Sequence, residues 1–185
     1  MKFVVGLAIA CLLLSSCDRS VSYEEALARN KDEFKDARKI EDAGFVVELK
    51  SWNMLTIKIL AIASDSAYSA VVVSFAKTIM PSHKKLDDEI VDFAKKKDIT
   101  LPDEVSPEHQ ILLSQLTSSR RQDFDNTFSR IITRINEENN MLFTTNATQA
   151  SDPDVRAFAA RNLDLFRTHA QLLSTMQSQL LNTSE

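Results

Sequence analysis

"PDVRAFAARNLDLFRTHAQLLSTMQSQL", residues 153–180, decides the fold. Val155, Phe158, Phe166, Leu173, Met176 and Leu180 recur at steps of three and four, with Asn162 and His169 on the same stripe. That period describes one buried face of a long helix; a half-buried strand would alternate. Asp152 before Pro153 supplies a cap and then a first helical residue that needs no N–H donor. It is the most regular stripe in the chain, and the segments before it repeat the pattern.

Moving backwards, "TTNATQASD" (144–152) reads as a polar loop. A third helix starts at Ser106-Pro107, carries Ile111, Leu112, Leu113 and Leu116, and meets a polar interruption at Thr117 to Gln122. Phe124, Phe128, Ile131, Ile135 and Leu142 then continue it to about Phe143. Here Phe124 is expected to plug the core and Asp125 to cap the restarted helix. "DITLPDEVSPEH" (98–109) is the longest loop. A second helix shows Val72, Phe75, Ile79, His83, Leu86, Ile90 and Phe93; Pro81 should kink it, and Lys95 to Lys97 suit its C-terminus. The first core helix carries Phe45, Leu49, Trp52, Leu55, Ile59 and Ile62 to about Ala63, with a turn at Ser64 to Ser66. Four such helices predict an all-α antiparallel four-helix bundle over residues 42–182. No internal repeat points to a solenoid.

Ahead of the bundle, residues 17–41 read as an anchor followed by a charged leader helix. Ser22-x-x-Glu25 forms a capping box, Glu25 and Arg29 stand one turn apart, and Tyr23, Leu27, Phe34 and Ile40 make a sparse stripe. Such a helix serves either as a solvated spacer or as a partner-binding element.

The N-terminus specifies location. Lys2 precedes the apolar run Phe3 to Leu14, which as a helix reaches about 18 Å, short of a bilayer core of about 30 Å. A positive head, a short apolar core and small residues after it describe an export signal over residues 1–16. Leu14-Ser15-Ser16-Cys17 resembles the bacterial lipobox, which implies a lipid on Cys17 and cleavage before it. Several acyl chains anchor firmly where one is marginal. Asp18 resembles the residue that retains enteric lipoproteins in the inner membrane, with the outer membrane as the alternative. The expected location is the bacterial envelope, lipid-anchored and facing the periplasm.

Composition excludes much else. The two cysteines are Cys11, inside the signal, and Cys17. The mature body therefore has no thiol for disulfides, zinc or nucleophilic catalysis. Gly6 and Gly44 are the only glycines, which rules out Gly-rich phosphate loops and dinucleotide-binding turns. A net charge of −4 without a basic cluster argues against nucleic acid.

Three segments carry a family resemblance: "KKKDITLPDEVSPEHQILLSQL" (95–116), "FDNTF" (124–128) and "DPDVRAFAARNLDLFRTHAQLL" (152–173). Over roughly residues 42–180 the chain resembles a bacterial envelope family of unknown function, often labelled predicted outer membrane protein and grouped with ferritin-like bundles. The resemblance implies a ferritin-like up-and-down bundle and no established activity. The family's recurrent polar positions fall here on Asn53, Ser82-His83, Asn136 (preceded by Ile135) and His169, so two histidines remain and the acids are gone.

A di-iron site needs Glu-x-x-His spacing, whereas Met80, Ser106 and Phe166 stand three residues before His83, His109 and His169. His83 and His169 lie on apolar stripes of different helices. If those stripes face each other, the imidazoles can share one mononuclear divalent metal with an asparagine oxygen or water, and Asp87 can orient His83. The alternative is that both are core histidines bonded to Asn53, Asn136 or Asp87. His109 is expected to be exposed and without a role. No serine, histidine and acid form a recognisable catalytic pattern. The leading reading is a non-enzymatic interaction or stress-tolerance lipoprotein that needs no cofactor and has an envelope protein as its partner. A ferritin-like metal-binding or redox protein is the alternative.

Overall fold

A computed structural model describes residues 20–182; the signal segment, Cys17 and Asp18 lie outside the described residues. Six helices follow one another: α1 (Tyr23–Glu33), α2 (Ala37–Ser66), α3 (Ala70–Lys96), α4 (Pro107–Thr117), α5 (Phe124–Gln149) and α6 (Pro153–Asn182). A 3₁₀ turn at Arg121–Asp123 joins α4 to α5, and there is no strand among the described residues. Helix α2 packs on α3, α3 on α6, α6 on α5 and α5 on α2, so the four long helices gather their apolar faces into a bundle.

Local signals set most of the helix starts. The hydroxyls of Ser22, Ser69 and Ser106 accept from Glu25, Val71 and His109 N–H, and Asp152 accepts from Asp154 N–H at 2.7 Å. Helix α6 therefore starts where Asp152-Pro153 indicates. Helix α2 begins well before Phe45, where the Asp36 carboxylate accepts Arg38 N–H at 2.9 Å. Buried Asp42 then accepts the N–H groups of Ser151 and Asp152, at 2.9 and 2.7 Å, pinning the first turns of α2 to the α5–α6 junction. It also continues through Ser64 to Ser66, so the turn falls at residues 67–69. Asp125 does not cap α5; it accepts from Tyr68 and Ser69 N–H across that turn. Helix α5 runs on through Thr144 to Gln149 despite weak helix formers, because Ala147 and Ala150 pack on the core. Helix α3 runs through Pro81, which lies on an exposed face.

The leader is not a solvated spacer. Ala26 and Asn30 are buried, and the Asn30 amide bonds Thr100 O and Thr100 N–H, each at 2.8 Å. Val21 N–H meets the Asp103 carboxylate and Asp103 N–H meets Val21 O, both at 2.8 Å. Tyr23 donates to Glu48 on α2 at 2.6 Å. An Asn side chain offering a donor and an acceptor in one plane replaces a backbone partner for the α3–α4 loop.

Two apolar clusters fill the bundle. One gathers Trp52, Leu55, Ile59, Phe75, Ile79, Phe128, Ile131 and Leu173. The other gathers Phe45, Leu49, Leu86, Phe93, Phe143, Phe158 and Phe166.

Candidate functional site

His83 on α3 and His169 on α6 meet where the two apolar clusters join. Their ring centres are 4.9 Å apart with a 34° tilt, and the residues are only 3% and 5% exposed. Phe166 packs against both rings, at 6.3 and 6.0 Å. A cavity of about 10 Å³ lies between the helices, lined by both histidines, Asn136 and a wall of Phe75, Ile79, Ile132, Ile135 and Leu173. That is room for about one water.

The hydrogen bonds assign each ring's proton. Asn53 Nδ2 donates to His83 O and to Asp87 Oδ1, both at 3.1 Å, so its Oδ1 is the acceptor. His83 Nδ1, at 2.8 Å from that oxygen, therefore carries the hydrogen, and Nε2 keeps the lone pair. Ser82 commits its single hydrogen to Ile79 O at 2.6 Å, so it accepts from His169 Nε2 at 2.9 Å and leaves His169 Nδ1 bare. Both bare nitrogens belong to rings that border the one cavity.

Asp87 does not touch His83. It binds Lys50 Nζ at 2.8 and 2.9 Å and reaches His83 only through Asn53, one step further out than expected. Asn136 lines the cavity as a half-buried side chain. Ser82, which the sequence marks only as a position that has lost its acid, does the work for His169 that Asn53 does for His83; its position beside His83 on α3 was the available signal.

Burial pushes the His83 imidazolium pKa down to about 3, and the neighbouring His169 adds to that effect. Burial alone lowers His169 to about 4. Both rings are neutral near pH 7, the form that binds a metal.

His109 is buried, at 1% exposure, rather than exposed. Trp52 packs on its ring with centres 3.7 Å apart, and Ser51 Oγ lies 2.6 Å from Nδ1 while accepting Ser106 N–H at 2.7 Å. Glu48 Oε1 stands 3.6 Å from Nε2. Burial lowers His109 to about 4 and raises Glu48. Serine, histidine and acid do converge here, but Ser51 has no exposed surface. The set is a latch holding α4 to α2, with no path for a substrate.

The family model described as "Domain of unknown function (DUF4142)" matches residues 28–176. The chain belongs to the DUF4142 family. The match begins inside α1, so the docked leader is partly within the DUF4142 unit. A solved structure, "CopM in the Cu(II)-bound form", shares the fold with a TM-score of 0.61 and 16% identity, covering 76% of this chain and 96% of that one. Curated proteins give no match. Among the described residues of this DUF4142 chain, no three of His, Cys, Asp and Glu converge on one point, and no helix is long and apolar enough to cross a membrane.

Proposed function

We propose that this DUF4142 chain is a lipid-anchored, periplasm-facing envelope module whose ferritin-like antiparallel bundle holds one copper ion between His83 and His169. The observation that carries this reading is the pair of neutral imidazoles, each tethered through one nitrogen with the other left unbonded, on two rings that border a shared cavity. The fold shared with a protein solved in a Cu(II)-bound form supports copper as the metal to test first.

The donor set fits. Imidazole nitrogen suits copper, and ligating histidines commonly have their second nitrogen fixed by an outer partner. Asn53 and Ser82 fill that role, with Lys50 and Asp87 steadying Asn53. Phe166, Ile79 and Leu173 give the cavity an apolar wall beside the rings. Bound copper supplies storage or one-electron chemistry.

Equilibrium dialysis tests this with Cys11 and Cys17 replaced by serine, so that thiolates do not compete. The expected result with ascorbate present is one copper per chain, lost in His83→Gln/His169→Gln. A second reading keeps both histidines as core residues of an interaction or stress-tolerance module; the smallness of the cavity favours it. It predicts no stoichiometric copper in either protein. The anchor is checked separately: Cys17→Ala should move the protein from the membrane fraction to the soluble one, and continued retention contradicts lipidation. Asp18 favours the inner membrane as the site of that anchor.

A further inference from the structure

We infer that the His83–His169 pair selects a singly charged soft ion, Cu(I) or its redox-inert analogue Ag(I), over divalent ions. This rests on the metal reading above and adds the charge of the ion.

The polar groups that touch the two rings are neutral: the Asn53 amide and the Ser82 hydroxyl. Asn136, the other polar residue on the cavity, is neutral too. The acid that reaches this network is Asp87, and its charge is matched by Lys50 at 2.8 Å. Outside, His169 and Ser82 also border an open groove between α3 and α6. Its acids are paired as well, Glu89 with Lys85 at 3.7 Å and Asp164 with Arg167 at 3.0 Å. Among the described residues, no acid without a cation partner borders the groove or the cavity at the rings.

Desolvation scales with the square of the charge, so a divalent ion costs roughly four times what a monovalent one does at the same site. Buried charges are tolerated where counter-charges or several ligands repay that cost. Zn(II) ordinarily completes four ligands, and this site offers two imidazoles, an amide oxygen and an apolar wall. A monovalent d¹⁰ ion needs fewer donors and leaves less charge to be repaid by its surroundings.

The test titrates the full chain, with Cys11→Ser and Cys17→Ser, with Ag(I), with Cu(I) against a colorimetric Cu(I) chelator, and with Cu(II), Zn(II) and Ni(II). One equivalent of Ag(I) and Cu(I) is expected, at least about 100-fold tighter than any divalent ion, and lost in His83→Gln/His169→Gln. Equal or tighter binding of Cu(II) or Zn(II) at the same histidines overturns the charge selection and leaves the metal reading standing. No binding of any ion overturns both. Should the double variant misfold, His169→Met keeps a soft, buried, neutral donor. It is expected to retain Ag(I) binding, and its loss in a folded His169→Met protein counts against the inference.

Discussion

Phe158→Ala is expected to destabilise the protein by about 3–5 kcal/mol, the range for emptying an aromatic site in a closed core. Phe158 is fully buried and stacks against Phe93 at 4.7 Å and Phe143 at 6.4 Å, with the Arg161 guanidinium 4.6 Å from its ring centre. Phe143 in turn contacts Phe45 and Phe166. The rings come from α2, α3, α5 and α6, so the hole cannot close by moving one helix alone. In a domain of this size each kcal/mol shifts the melting temperature by about 2–4 °C, which makes a drop of about 10 °C the expected reading. Tyr68→Ala, at a residue 77% exposed, serves as the control and should change stability by less than about 0.5 kcal/mol. A Phe158→Ala loss below about 1.5 kcal/mol contradicts a closed aromatic core at that end.

Acid should unfold this protein early. His83, His109 and His169 are each held neutral by burial, at about 3, 4 and 4. In the unfolded chain they titrate near 6.5. Between those values the unfolded state binds more protons, so their contribution is fully present above about pH 6.5 and is lost as pH falls towards the folded values. Each histidine then withdraws on the order of 2 kcal/mol between pH 7 and pH 5, about 6 kcal/mol for the three, comparable to the whole stability of many domains. Glu48 works the other way, because burial raises it and its protonated form is favoured in the fold. Urea unfolding of ion-free protein at pH 7 and pH 5 checks this. The midpoint should fall sharply; an unchanged midpoint means the histidines are not buried and neutral as described.

The repeating stripes made the long helices legible, and α6 most of all, because periodicity is local and Pro153 and Asp152 mark its start. What stayed hidden depends on partners far along the chain. Nothing near Asn30 announces that its amide will meet Thr100, and nothing near Asp42 announces Ser151 and Asp152. Those bonds turned an apparent spacer into a docked helix and tied α2 to the α5–α6 junction. His109 misled for a related reason: its place in the first turn of α4 suggests exposure, but Trp52 and Ser51 from α2 cover it. In the site, the stripes put His83 and His169 on inward faces. Sequence could not show that Ser82 orients one ring, or that Asp87 stops one residue short of the other.

Histidine ¹⁵N–¹H NMR on the thiol-free protein tests the central claim most directly, since it reads the protonation of each ring nitrogen and the arrival of an ion. Before addition, His83 should show its hydrogen on Nδ1 and His169 on Nε2. With one equivalent of Ag(I), His83 Nε2 and His169 Nδ1 should shift together while both nitrogens of His109 stay in place. Reversed tautomers, or shifts confined to His109 or absent altogether, would contradict a shared ion between His83 and His169.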